Sequence, residues 1–188
     1  MIQDKKQLLL CLEYEKILYS KYMFQTKSRY FLSRLKREPI RMIHIFLRLS
    51  RKADFYNVRK QKFGNPFYKA LYLYYITKKN YLGEKLGLEI ETINTREGLM
   101  IYHYNNVING GSIIGQNCHL HGNNCIGNDG KSNKCPIIGD NVILGVGAKV
   151  IGDIYIANNI IIAAGAIVVH SFEEEGITIG GIPAKKIK

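Results

Sequence analysis

Hydrophobic residues between positions 108 and 168 recur with a period of six. Ten of the eleven repeat positions hold Ile, Leu or Val, and the series is Ile108, Ile114, Leu120, Ile126, Ser132, Ile138, Leu144, Val150, Ile156, Ile162 and Val168. The exception, Ser132, lies in a polar stretch, residues 127–136, and the phase is the same on both sides of it. Because an α-helix repeats every 3.6 residues, this period predicts short strands joined by turns and wound into a solenoid, with three hexads in each triangular coil.

The first part of the chain follows helical spacing instead. We predict three helices, namely Lys5 to about Met23, a second with Pro39 in its first turn, and a third that begins at Asn65-Pro66 and runs through Tyr81. Gly83 and Gly87 are expected to close the third helix, and the basic residues are expected to form solvated faces. The chain therefore divides into a helical domain, residues 1–86, and a solenoid domain, residues 87–188.

Composition places the chain among soluble globular proteins. It has 188 residues, 46% hydrophobic and 22% charged, which is enough to bury a sizeable core. Its longest wholly apolar run, residues 160–169, is too short to span a bilayer, and its N-terminus lacks the apolar core of a secretory signal. We expect a cytoplasmic protein, in which the four cysteines do not form disulfides.

Positive charge is concentrated in residues 1–86, which hold 20 Lys and Arg against 6 Asp and Glu, whereas residues 87–188 hold 7 and 9. Three hypotheses compete for this charge. In the first hypothesis, the helices cap the solenoid and their lysines provide solubility. In the second, the charge attracts an acidic partner, such as a lipid-linked or anionic glycan at the inner face of the membrane. In the third, it binds nucleic acid. Since the chain has no recognised nucleic-acid motif, we expect no nucleic-acid partner.

Four stretches carry a resemblance to a known family: residues 98–103 (GLMIYH), 136–142 (PIIGDNV), 144–152 (LGVGAKVIG) and 181–186 (GIPAKK). With the hexad repeat, they resemble hexapeptide-repeat acyltransferases, and within these the serine acetyltransferases and their relatives that O-acetylate capsule and O-antigen polysaccharides. The resemblance implies a mostly β fold, a left-handed parallel β-helix behind an N-terminal α-helical segment. It also implies acetyl-CoA as acyl donor, no metal, and a homotrimer or a pair of trimers.

The resemblance also suggests catalytic and donor-binding residues. His103 stands where the family has its general base, which removes the proton of the attacking hydroxyl. Glu89, in a stretch like the family's V-D-I, is the candidate to orient His103. Backbone N–H groups near Gly145 are expected to meet the oxyanion. The residues expected to line the pantetheine arm or meet the phosphates of coenzyme A are Gly145, Ala148, Ala163, Ala164, Ala166, Lys185 and Lys186.

The acceptor is where the sequence departs from serine acetyltransferases. Tyr102 stands where these have an Asp, and Lys134-Cys135 stands where they have Arg-His, so a zwitterionic amino acid loses partners for its charges. We predict transfer to a sugar hydroxyl of a polysaccharide precursor, with L-serine as the alternative acceptor. The candidate acceptor-binding residues are Tyr102, Tyr104, Asn105, Asn106, His121 and Lys134.

Two other functions compete with acetyl transfer. His103, His119 and His121 suggest a metal site, but they lack the acidic and glutamine neighbours of β-helical carbonic anhydrases. A non-catalytic scaffold is disfavoured by the motif around His103.

Overall fold

The computed structural model describes residues 2, 4–24, 26, 29, 32, 33, 35, 36 and 38–188. Contacts divide the chain into two compact units, Met1–Leu86 and Gly87–Lys188.

The first unit contains three long helices among its described residues. Helix α1, Lys5–Tyr19, continues as a π-helical turn, Ser20–Phe24, and is followed by α2, Pro39–Phe63, and α3, Pro66–Leu86. The amide oxygen of Asn65 accepts a hydrogen bond from the N–H of Phe67 at 2.8 Å, which is the cap that the sequence predicts. Gly83 is buried inside α3, so the prediction that it ends the helix is wrong.

Helices α1 and α2 are joined by a buried ion pair. The guanidinium of Arg51 donates to Oε1 of Glu15 from Nη2 at 2.7 Å and from Nε at 3.2 Å, and both residues are at most 1% exposed. The expectation that the basic residues form solvated faces is therefore wrong for Arg51. A buried guanidinium needs such a partner because an unpaired charge inside the protein is strongly destabilising.

His44 of α2 is also buried, and its ring stacks on Tyr19 with centroids 4.7 Å apart. Burial, and then the positive charges of Arg48, Arg41 and Lys16, lower the pKa of His44 to about 4. The folded protein therefore holds this imidazole neutral at pH values where an exposed histidine would be protonated.

The second unit is built from fourteen strands of two to four residues. They are β1 Leu88–Ile90, β2 Met100–Ile101, β3 Asn106–Ile108, β4 Ile113–Ile114, β5 His119–Leu120, β6 Cys125–Gly127, β7 Ile137–Ile138, β8 Ile143–Leu144, β9 Lys149–Ile151, β10 Tyr155–Ile156, β11 Ile161–Ile162, β12 Ile167–Val168, β13 Thr178–Gly181 and β14 Ala184–Lys186.

These strands form three sheets. Sheet A has the order β1-β3-β6-β9-β12, sheet B has β10-β7-β4, and sheet C has β14-β13-β11-β8-β5-β2. All pairs are parallel except β13 with β14. Because successive strands pass from sheet to sheet while partners come from neighbouring coils, the chain is a parallel β-solenoid, as the repeat predicts.

The period-six aliphatic residues stack inside the solenoid. In sheet A, for example, Ile108, Ile126, Val150 and Val168 are register partners, and each is at most 2% exposed. The polar stretch that interrupts the repeat lies largely exposed at its centre, residues 129–134. The helices nevertheless hold more residues than these short strands, so "mostly β" describes the second unit and not the whole chain.

Candidate functional site

The corner between sheets C and A carries a column of aligned residues, one from each coil. Since Ile101, Leu120, Leu144, Ile162 and Ile179 are successive register partners in sheet C, the residues that follow them are aligned as well. We call this set the corner column: Tyr102, His121, Gly145, Ala163 and Gly180. Its first two members are large rings and its last three are small, so the two ends of the column differ in shape.

Three rings meet at the large end. Tyr102 stacks on His121, with ring centroids 4.5 Å apart and planes 21° from parallel. The hydroxyl of Tyr102 also lies 3.3 Å from Nδ1 of His119, within hydrogen-bond distance. Burial, and then the charge of His121, lower the pKa of His119, which favours its neutral form.

His119 is a site residue that sequence reasoning considered only as a metal ligand. Its register position opposite Met100 brings it under Tyr102, and the pairing of β2 with β5 decides this. The described residues contain no group of three His, Cys, Asp or Glu side chains placed to hold a metal ion.

His103 is exposed at the same corner, next to Tyr102. A Cβ built on Gly122, in the neighbouring coil, would lie 2.8 Å from Cβ of His103. Gly122 also has a φ of +116°, which disfavours residues with a side chain. The glycine therefore leaves room for the imidazole of His103.

The small end of the column brings the backbones of two coils together. A Cβ on Gly145 would lie 2.6 Å from the backbone nitrogen of Ala164, so only glycine fits without a shift. The N–H of Gly145 itself donates to the carbonyl of Ile162 at 2.8 Å, so an oxyanion donor near Gly145 has to come from a neighbouring residue. Within the part of the chain that the structure describes, the N–H groups of Val146 and Ala164 have no such partner, and they are the candidates for the predicted donors near Gly145.

Two predicted coenzyme-binding residues face the wrong way. Ala148 and Ala166 are buried inside the solenoid, and their N–H groups donate to the carbonyls of Gly145 and Ala163. They cannot line a pantetheine arm on the outside. The outward-facing Ala163 and Ala164 stay candidates.

Glu89 lies exposed in β1 of sheet A, beside Val107. Its predicted role as the partner of His103 stays a prediction. The amide of Asn106 is buried and bonded to the backbone, so the prediction that it binds a sugar is wrong. Tyr104 is partly buried, which raises its pKa. Asn105 is exposed in the adjoining turn with a φ of +61°.

Two of the predicted binding lysines form exposed ion pairs. Nζ of Lys134 lies 2.6 Å from a carboxylate oxygen of Asp153, which raises the pKa of this lysine. Nζ of Lys186 lies 2.6 Å from Glu174, whereas Lys185 is exposed in β14. Exposed pairs of this kind are weak, so either lysine can exchange its carboxylate for a ligand anion.

No protein-family model matches the chain. Among curated proteins, it is 34% identical over 94 residues to the serine acetyltransferase of Synechococcus elongatus, covering 48% of this chain and 38% of the relative. It is 37% identical over 86 residues to the serine acetyltransferase of Staphylococcus aureus strain Mu50, covering 42% and 40%. The chain thus spans about two-fifths of the length of these relatives.

The chain also superposes on solved structures of serine acetyltransferases. The Neisseria gonorrhoeae serine acetyltransferase in complex with serine superposes with a TM-score of 0.73 at 23% identity, covering 98% of this chain and 70% of that one. The Brucella abortus strain S19 enzyme in complex with coenzyme A gives a TM-score of 0.71 at 21% identity, covering 97% and 68%. The chain therefore shares the fold of serine acetyltransferases and resembles them in sequence.

Proposed function

We propose that this protein is an acetyl-CoA-dependent O-acetyltransferase with His103 as the general base. The observation that carries the proposal is the position of His103, exposed beside the corner column and given room by Gly122. The likeness to serine acetyltransferases, including a structure with coenzyme A bound, supports acetyl-CoA as the donor. The left-handed winding of the coils stays a prediction from the same resemblance.

His103 removes the proton of the acceptor hydroxyl as its oxygen attacks the thioester carbonyl carbon. The N–H groups of Val146 and Ala164 are candidates to stabilise the negative charge on the carbonyl oxygen. When the tetrahedral intermediate collapses, the carbon–sulfur bond breaks and the imidazolium of His103 returns the proton to the thiolate. Acceptor and donor are bound together, and the acetyl group passes directly between them.

The comparisons favour L-serine as the acceptor over the sugar that the sequence predicts. The relatives described above are named serine acetyltransferases, and one of the solved structures holds serine. The stacked rings of Tyr102 and His121 favour the second candidate, a neutral sugar hydroxyl. Neither ring offers the negative charge that the ammonium of serine requires, and aromatic faces suit the C–H surfaces of sugars.

Thiol release from acetyl-CoA tests the reaction and its acceptor together. The purified protein is supplied with L-serine or with a panel of sugars and nucleotide sugars, in parallel. His103→Ala should abolish release while coenzyme A binding persists, whereas His170→Ala, which removes an exposed histidine elsewhere, should change it little. Retained turnover in His103→Ala contradicts the assignment of the base, and serine-dependent release alone contradicts the sugar hypothesis.

We propose that Lys185 and Lys186 meet the phosphates of coenzyme A. The double variant Lys185→Ala/Lys186→Ala should raise KM for acetyl-CoA with little change in kcat, since these side chains would bind the donor equally in the ground and transition states. An unchanged KM would assign both lysines to the solvated surface.

Assembly into a homotrimer is proposed from the outer face of sheet B. Ile113, Ile137 and Tyr155 are register partners there, and they are 49%, 44% and 39% exposed. A second copy of the chain would bury this apolar face. Light scattering should give three or six times the 21.5 kDa chain mass, and Ile137→Lys should lower it; a monomeric wild-type protein contradicts the proposal.

Helix α3 suggests contact with an anionic lipid surface. Phe67, Tyr74 and Tyr81 are spaced by seven residues and more than half exposed, and the ammonium groups of Lys78 and Lys85 lie 4.6 and 4.2 Å from the last two rings. Aromatic and cationic side chains together suit a membrane interface. Among the described helices, none is both long and apolar enough to cross a membrane. We expect the protein to sediment with anionic vesicles and the variant Lys78→Glu/Lys85→Glu to lose this binding. Equal binding to neutral vesicles would contradict an electrostatic contact.

A further inference from the structure

Two buried asparagines lie at the corner that carries His103. Asn106 is 0% exposed and Asn124 is 1% exposed. Strand register aligns these two positions with Ala148 and Ala166 in the next two coils. Amide side chains thus occupy this position after the first two turns from sheet C to sheet A, whereas the two later turns are followed by a residue with only a methyl group.

The amide of Asn106 bonds to the turn that holds His103. Its Nδ2 donates to the carbonyl of His103 at 2.7 Å, and its Oδ1 accepts from the N–H of Asn124 at 3.1 Å. This turn has one more residue than its counterpart in the neighbouring coil, since three residues separate Tyr102 from Asn106 and two separate His121 from Asn124. In this longer turn, a side-chain amide supplies the hydrogen bond that the carbonyl of His103 requires.

The amide of Asn124 continues the chain of hydrogen bonds. Its Oδ1 accepts from the N–H of Gly122 at 2.9 Å, and its Nδ2 donates to the carbonyl of Gly145 at 2.7 Å. Two side chains therefore connect three parts of the corner. These are the turn at His103, Gly122 against which it packs, and the coil of Gly145, which approaches Ala164. In each of the two later coils, a backbone N–H group closes the equivalent turn: that of Ala148 donates to the carbonyl of Gly145 at 3.1 Å, and that of Ala166 donates to the carbonyl of Ala163 at 3.2 Å.

We infer that Asn106 and Asn124 are positioning residues that fix His103 relative to the small end of the corner column, where the donor is proposed to bind. The inference rests on the proposed transferase function. A buried amide that uses both its donor and its acceptor holds its partners in one geometry, because any alternative leaves a buried polar group unpaired. Acyl transfer depends on such geometry, since a displacement of about 1 Å can lower a rate about 100-fold.

Asn106→Ala tests the inference with a residue that the later coils tolerate at the same position. We expect kcat to fall about 10- to 100-fold, by the same positional argument, while KM for acetyl-CoA changes less than about twofold. The NMR signals of the His103 imidazole should shift or broaden, while those of His170 stay in place. Asn124→Ala, the second variant, should produce the same pattern. Circular dichroism establishes that each variant is folded.

Asn141→Gly is the matched control, because it also removes an amide from a ladder of asparagines, but at the corner between sheets B and C. Nδ2 of Asn141 donates to Asn159 at 3.1 Å, and its φ of +57° suits glycine. The inference is overturned if the His103 signals do not change in either alanine variant, or if those variants lose no more kcat than Asn141→Gly. Absence of transfer in the wild-type protein would instead refute the proposed function, and the NMR comparison would still report whether the asparagines hold His103.

Discussion

Gly122→Ala should displace the proposed catalytic base directly. The new Cβ would lie 2.8 Å from Cβ of His103, about 0.6 Å below the 3.4 Å at which ordinary van der Waals contact begins. His103 or the turn at Gly122 must therefore move by roughly that amount. A displacement of this size should lower kcat about 10- to 100-fold. The φ of +116° at this position adds a cost of about 1–3 kcal/mol to the stability of the variant.

Gly176→Ala separates the two effects. Gly176 also has a left-handed backbone, with φ of +73°, but a Cβ there would meet nothing within 4 Å. Both variants should melt at a lower temperature than the wild-type protein. Only Gly122→Ala should lose transfer activity, measured as thiol release at a temperature where both are fully folded. If Gly122→Ala keeps the activity of Gly176→Ala, the contact with His103 does not position the base and the argument is refuted.

Three predictions concern stability. Because the pKa of His44 is lowered in the folded protein, the unfolded state takes up a proton that the folded state does not as the pH falls from 6.5 to 4. The free energy of unfolding, measured by urea titration, should therefore drop by about 3 kcal/mol over this range. His44→Phe should weaken this pH dependence. Glu15→Gln should cost about 3–5 kcal/mol in the same assay because Arg51 stays buried without its counter-charge, and a loss below 1 kcal/mol would contradict that account. Gly145→Ala should lower the free energy of unfolding by about 1–3 kcal/mol, and with it the melting temperature, because the new Cβ would collide with the backbone of Ala164. An unchanged melting temperature would mean that the two coils can move apart at little cost.

The amino-acid sequence by itself determined the architecture of both units. A period of six cannot be satisfied by a helix, and it repeats often enough that the strands, their inward residues and the interrupting loop could be predicted. The same holds for the cap at Asn65, where the residue type and the following proline specify a local geometry. His103 could be proposed as the general base only because its motif resembles a known family.

Only the tertiary structure decided how side chains from different coils meet. Tyr102 reaches His119 and His121 because β2 pairs with β5, and the residues are 17 and 19 positions apart. Glu15 and Arg51 likewise lie 36 positions apart, so no local pattern marks Arg51 as buried. A sequence pattern predicts the period of the repeat and which residues face inward, but strand register and turn length decide which polar groups become partners.

The same reason explains the errors at the site. Ala148 and Ala166 satisfy the rule that small residues allow close approach, yet they lie on the inner side of the corner. The sequence places the oxyanion donors near Gly145 without saying which N–H groups are free, and that of Gly145 itself is used between coils. Asn106 has an amide suited to a sugar, yet it supports the backbone of His103. Each of these roles depends on where a backbone or side-chain polar group finds its partner, and that partner comes from a neighbouring coil or turn that only the folded chain brings into place.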